Sequence, residues 1–129
     1  MQHIAKILLI EDEDYIKDVY KDMLDSSGLK TDAFATGEAG LKAFHENSYD
    51  LVVLDIVLSD INGLHVLKEI KQDKIKKNIP VLLLTNLDQD IIVRQGLELG
   101  ATAYLQKVSN TPDKIVDKIK NILELPPKG

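Results

Sequence analysis

Cysteine and tryptophan are absent from this sequence, and the chain carries only 2 Phe and 4 Tyr. Without cysteine there is no disulfide, no zinc–thiolate site and no thiol nucleophile. A small protein that manages without such staples suits a reducing cytoplasm. So few aromatics leave little platform for stacking the bases of single-stranded nucleic acid. Positive charge is in the minority as well: 16 Lys and Arg stand against 21 Asp and Glu, a formal net charge of −5. That balance favours solubility and repels a phosphate backbone, so no direct nucleic-acid partner is expected. No apolar run approaches the roughly 20 residues that cross a bilayer. Met1 to Lys6 lacks the apolar core of a signal peptide, so neither a membrane span nor a leader is expected. Neither a Walker-type phosphate loop nor a dinucleotide glycine fingerprint occurs.

What is present is an ordinary apolar fraction of 44% over 129 residues, enough for one domain and one core. The domain is expected over 1–125, with a tail at 126–129. Short apolar runs alternate with longer amphipathic ones. Strands are expected at Ile4 to Ile10, Lys30 to Ala35, Tyr49 to Leu54, Val81 to Leu84 and Ala103 to Gln106. Helices are expected at Asp14 to Ser27, Gly37 to Glu46, Gly63 to Asp73, Asp88 to Leu99, and from Thr111-Pro112 to about Glu124. Ile16, Val19, Tyr20, Met23 and Leu24 share one face of the first helix, which Gly28 ends; Thr36 is the N-cap of the second and Gly100 closes the fourth. The second strand, the more polar, is expected at a sheet edge. Leu51-Val52-Val53-Leu54 is unbroken by polar residues, the habit of a parallel strand buried on both faces. Strict βα alternation predicts an α/β fold: a five-stranded parallel sheet, (βα)5, flavodoxin-like and doubly wound, in order 2-1-3-4-5. Ligands of such sheets bind beyond the C-terminal strand ends where strand order reverses, here between strands one and three.

Glu11-Asp12-Glu13-Asp14 follows strand one, and Asp55 follows strand three. Carboxylates crowded together raise one another's pKa, and either protonation or a hard cation relieves them. Mg²⁺ takes oxygen ligands, one or two carboxylates with water and phosphate; Asp12 and Asp55 are the natural direct ligands, with Glu11 acting through water. Helix capping is the plainer account of the acidic run. Thr85 and Lys107, expected at the ends of strands four and five, are predicted to face the same pocket. Thr85 has a plain role as a helix cap and Lys107 as a solvated lysine; their joint arrival at matching strand ends points to chemistry. A hydroxyl, a fixed cation and a metal site around one carboxylate form a phosphoryl-transfer set, in which positioning and charge neutralisation do most of the work. Asp55 would be the nucleophile, Lys107 would pair with Asp55 and one phosphoryl oxygen, and Thr85 would donate to another.

These segments resemble the response-regulator receiver family over essentially the whole chain. Lys6 to Glu13 resembles its first strand and acidic pair, Asp50 to Asp55 the strand ending in the phosphoacceptor, and Asp60-Ile61-Asn62-Gly63 the turn into helix three. Val81 to Thr85 resembles the strand ending in a hydroxyl, and Gly100 to Lys107 the segment with the aromatic switch residue and the lysine. The resemblance implies that a sensor histidine kinase or histidine phosphotransfer protein gives a phosphoryl group to Asp55. The metal would contact Asp12, Asp55 and the backbone carbonyl of Val57. Thr85 would move to the phosphate, Tyr104 would turn inward, and the surface of helix four, strand five and helix five would change for a downstream protein target, as a population shift. It further implies a monomer or weak dimer that catalyses its own phosphorylation and slow autodephosphorylation rather than an enzyme in the usual sense. The alternative is a receiver-like interaction module that is never phosphorylated.

Departures from the family occur at Ser59 (usually Pro), Asn86 (usually small) and Val108 (usually Pro after a cis bond). A cis bond before Val108 would cost about 3–4 kcal/mol, which predicts a trans bond and a shifted loop. Val57 and Leu87, both apolar, are expected to shield the acyl phosphate from water. Val57 also stands where a dehalogenase-type phosphatase needs a second Asp, and the acidic Glu11 to Asp14 run is the opposite of a flavodoxin phosphate loop. His3, His45 and His65 share no metal-ligand spacing, and the Lys68 to Lys77 segment reads as a solvated face.

Overall fold

The computed structural model describes residues 3–86 and 90–125. The elements are β1 (Lys6–Ile10), α1 (Asp14–Ser26), β2 (Lys30–Phe34), α2 (Gly37–Glu46), β3 (Leu51–Asp55), α3 (Gly63–Gln72), β4 (Val81–Thr85), α4 (Asp90–Glu98), β5 (Ala103–Gln106) and α5 (Pro112–Ile122). All strand pairs are parallel, in the order β2-β1-β3-β4-β5. The expected topology and the edge position of β2 are therefore observed.

Successive residues of a strand leave the sheet on opposite faces, and here both faces are covered. Ile7, Leu9, Leu51, Val53, Leu82 and Leu84 pack with Tyr20 and Leu24 of α1 and Ile115, Val116 and Ile119 of α5. Leu8, Ile10, Val52, Leu54, Val81 and Leu83 pack on the other face with Leu41 and Phe44 of α2 and Val66, Leu67 and Ile70 of α3. Two-sided burial is why β3 and β4 carry no polar alternation; every residue of both is buried. Burying each of their Leu and Val side chains stabilises the fold by about 1.5–3 kcal/mol before chain entropy is counted.

Helix ends fall close to the sequence signals. Thr36 Oγ1 accepts from Ala39 N at 3.1 Å, and Gly28 and Gly100 take φ of +91° and +111° after α1 and α4. Most boundaries move by one or two residues, and three end features have a visible cause. β1 begins at Lys6, where pairing with Lys30 of β2 starts, and Ile4 is exposed. α5 ends at Ile122, because Glu124 turns to φ 57° and Leu125 N closes on Lys120 O at 2.8 Å. Thr111 holds the cap position of α5 without capping it through its side chain; its hydroxyl serves Asp113 instead, helping to hold that carboxyl low. The expected start of the fourth helix at Asp88, and Leu87, lie outside the described residues, as does the 126–129 tail. Among the described residues no peptide bond is cis, so Lys107–Val108 is trans as expected, and no helix is long and apolar enough to cross a membrane.

Candidate functional site

β1 has β2 on one side and β3 on the other, so strand order reverses beside it and its C-terminal end opens on a crevice. Glu11 and Asp12 leave β1 there, and Asp55 closes β3. By strand parity Glu11, Asp55 and Lys107 continue the face that carries Leu9, Val53 and Leu105. The carboxylate oxygens of Glu11, Asp12 and Asp55 come within 4.8 Å of one another. Glu11 is fully buried, Asp55 nearly so, and Asp12 half-buried.

Lys107 supplies the counter-charge. Its Nζ hydrogen-bonds Asp55 Oδ2 at 2.6 Å and stands 2.5 Å from Glu11 Oε2 as an ion pair. The loop after β5 that carries it is fixed by Lys107 N donating to Thr85 O at 3.0 Å and by Asn110 Nδ2 donating to Gln106 O at 2.8 Å. Val108 in place of proline therefore leaves Lys107 in reach of the acids. Asp55's other oxygen, Oδ1, accepts from Val57 N at 3.0 Å, and Glu11 Oε1 accepts from Glu13 N at 3.3 Å. Burial pushes Glu11 up to about 7; Lys107 opposes this and the charge of Asp55 adds to it. Burial works against the Lys107 ammonium, but its bonds to Asp55 and Glu11 outweigh that and hold its pKa above the ordinary value.

A cavity of about 190 Å³ opens over these groups, lined by Asp12, Glu13, Asp55, Val57, Asn86 and Lys107. Thr85, expected to face it, does not line it. Thr85 is fully buried and shares parity with Val81 and Leu83 on the opposite sheet face. The same parity places it beside Tyr104, the register partner of Leu83. Tyr104 is 43% exposed and so turned outward. The structure thus brings Glu11, Asp12, Asp55 and Lys107 together, and sets Thr85 and Tyr104 as neighbours on the far face. Val57 is exposed at the mouth of the cavity. Asn86 joins the lining because it follows the last residue of β4. The three histidines pair with separate carboxylates, His3 with Asp50, His45 with Asp73 and His65 with Glu69, and gather at no metal site.

The donor set suits a hard divalent cation. Three carboxylates meet at one point, one of them buried and strained toward protonation, with a half-open cavity beside them. Glu11, Asp12 and Asp55 together could hold a metal ion, and hard divalent cations take such oxygen ligands.

A doubly wound parallel sheet with a carboxylate cluster and an embedded lysine at its topological switch point defines a CheY-like α/β domain. The chain belongs to the response regulator receiver domain family, whose model matches residues 7–120, and it is thereby a receiver domain of two-component signal transduction. It is 35% identical over 118 residues to the alkaline phosphatase synthesis transcriptional regulatory protein PhoP of Bacillus subtilis, covering 92% of this chain and 48% of that protein. It is 40% identical over 104 residues to the transcriptional regulatory protein AfsQ1 of Streptomyces coelicolor, covering 81% of this chain and 45% of that one. The chain thus spans about half the length of these curated relatives. A CheY-like response regulator receiver domain protein from Methanospirillum hungatei superposes with a TM-score of 0.88 at 26% identity, covering 95% of each chain.

Proposed function

We propose that this domain accepts a phosphoryl group on Asp55 and uses it to change the α4-β5-α5 surface. The observation that carries the reading is the buried Asp55 carboxylate held at 2.6 Å by Lys107 inside an oxygen cluster that can seat a divalent cation. The donor is a phosphohistidine of a sensor kinase or phosphotransfer protein. Its N–P bond breaks as an Asp55 Oδ–P bond forms. Val57 N fixes Oδ1, so the carboxylate is oriented before the donor arrives, and little reorganisation remains for the reaction itself. Lys107 releases part of its bond to Asp55 and pairs with a phosphoryl oxygen. Glu11 keeps the lysine in place. Asp12, Asp55 and the Val57 carbonyl would hold Mg²⁺, which neutralises charge on the transferred group when bound.

Thr85 supports the switch by its position: fully buried at the end of β4, on the face that strand parity gives it in common with Tyr104, it would reach the phosphate by a shift of the β4 end. Such a shift vacates space that the exposed Tyr104 ring can fill. The phosphate thereby favours one of two conformers, the requirement for any ligand-driven population shift. The downstream target is a protein that binds one conformer better.

Acetyl phosphate with Mg²⁺ tests the reading. Intact-protein mass spectrometry should show the gain of one phosphoryl group, lost in Asp55→Asn. A wild-type chain that gains nothing from acetyl phosphate, and shows no response to beryllofluoride by NMR, would instead be an interaction module that is never phosphorylated.

A further inference from the structure

Asp60 lies outside the carboxylate cluster, yet it makes the longest-range side-chain clamp on the β3–α3 loop. Its Oδ1 accepts from Gly37 N and its Oδ2 from Glu38 N, both at 2.9 Å, across 23 and 22 residues of sequence. Those amides open α2, whose cap side chain, Thr36 Oγ1, accepts from Ala39 N instead. Asp60 therefore satisfies two donors that helix geometry leaves without partners, and puts its charge at the positive end of the helix dipole. The two amide bonds hold its carboxyl below the usual range.

The clamp has a steric companion. A Cβ at Gly37 would lie 2.6 Å from Ile61 Cγ1, so Ile61 packs where a side chain would be. At its far end the loop is pinned by Leu64 N on Asn62 Oδ1 at 2.8 Å and by Gly63 N on Ile56 O at 2.8 Å. At its near end Val57 N is pinned on Asp55 Oδ1. Between these anchors Ser59 is exposed and, unlike a proline, leaves its φ free. Asp60 is what ties the exposed middle of the loop to a rigid element.

We propose that Asp60 is a positioning residue for the divalent-cation site: by binding the first amides of α2 it fixes the Val57-to-Asn62 backbone, and with it the carbonyl and carboxylate that the cation meets. This rests on the reading of the acid cluster as a Mg²⁺ site. Linkage makes the effect reciprocal: if the clamp favours the bound cation, the cation stabilises the clamp by the same factor.

Mg²⁺ titration of wild type, Asp60→Ala, Asp60→Asn and Thr36→Ala, followed by amide NMR, tests it. Thr36→Ala weakens the same helix end without removing either of the amide bonds to Asp60, so it reports a merely structural loss. Asp60→Ala should bind Mg²⁺ about three- to tenfold more weakly, at or below the low end of the range for losing the support of a metal ligand. Asp60→Asn, which keeps one acceptor oxygen, should fall between, and serves alone if Asp60→Ala does not fold. Thr36→Ala should bind as wild type does. In the wild type, Mg²⁺ should also slow hydrogen exchange at the Gly37 and Glu38 amides. Equal Mg²⁺ affinity in the Asp60 variants and wild type, or equal losses in Asp60→Ala and Thr36→Ala, overturns the proposal while leaving the cation site intact. A wild type that takes up no Mg²⁺ overturns the site itself and the clamp's role with it.

Discussion

Lys107 Nζ reaches Asp55 Oδ2 at 2.6 Å across 52 residues of sequence, and both side chains are almost wholly buried. The same ammonium neutralises Glu11. Replacing it with methionine leaves two buried carboxylates without a cation, and breaking a buried pair in this way costs about 3–5 kcal/mol. Lys107→Met should melt well below wild type in EDTA, and Mg²⁺ should raise its melting temperature more than it raises that of wild type. Equal Mg²⁺ increments in thermal melts of the two proteins would contradict this.

Gly63 sits where a Cβ would meet Asp55 O at 2.3 Å and Ile56 Cα at 2.6 Å. Both are backbone atoms and cannot step aside. Gly63→Ala should therefore destabilise the domain by about 1–3 kcal/mol as an overpacked site, and should move amide resonances from Asp55 to Val57. Gly28 is the contrast: nothing lies within 4 Å of its Cβ position, and only its φ of +91° opposes a side chain. Gly28→Ala should cost about 1–2 kcal/mol and leave the Asp55 resonances in place. Urea denaturation and HSQC spectra read both effects.

Tyr49 is buried and donates its hydroxyl to Asp32 Oδ2 at 2.8 Å. Burial, then the bond and charge of Asp32, push its pKa well above the ordinary 10.0. Because the folded value is the higher one, the unfolded chain releases this proton first. The contribution is complete below pH 10 and is lost as pH rises above it. Tyr49→Phe should cost about 1 kcal/mol at neutral pH and should flatten the decline in stability on the alkaline side. Urea midpoints measured from pH 7 to pH 11 would show whether the two curves converge.

Val57 is 53% exposed at the mouth of the cavity above Asp55. An apolar side chain there hinders the approach of the water that hydrolyses an acyl phosphate. Val57→Asn should shorten the lifetime of the phosphorylated domain, followed by loss of the phosphoryl mass or of 32P label with time. An unchanged lifetime would remove Val57 from that role.

The sheet was legible because two-sided burial writes itself as unbroken apolar runs, Leu51 to Leu54 above all. Edge strand β2 was legible by its polar content, and Gly28 and Gly100 by the φ they adopt. Glu11, Asp55 and Lys107 could be placed because each directly follows or ends a strand of expected order, and Asp12 because it is next to Glu11. Thr85 shows the limit of that rule. Sharing a rim fixes where a residue's Cα lies, while parity decides which face its side chain takes, and Thr85 takes the face opposite Asp55. Asn86 departs from the family's small residue, and its place in the cavity lining follows from the same parity. The Asp60 clamp left no trace in the local sequence, since its partners are backbone amides that any residue but proline could supply.

The placement of the lysine late in the chain has a consequence for how the domain assembles. Glu11, Asp12 and Asp55 emerge from the ribosome in the first half of the sequence, and β1, β2 and β3 can pair before Lys107 exists. Without β5 docked against β4, Glu11 and Asp55 lack the ammonium that pairs with both in the finished domain. Cations in the surrounding medium can occupy that role in the interim, so divalent ions should speed refolding from urea as well as stabilise the finished domain. The final strand then does more than complete the edge of a sheet: it delivers the charge that lets the interior close.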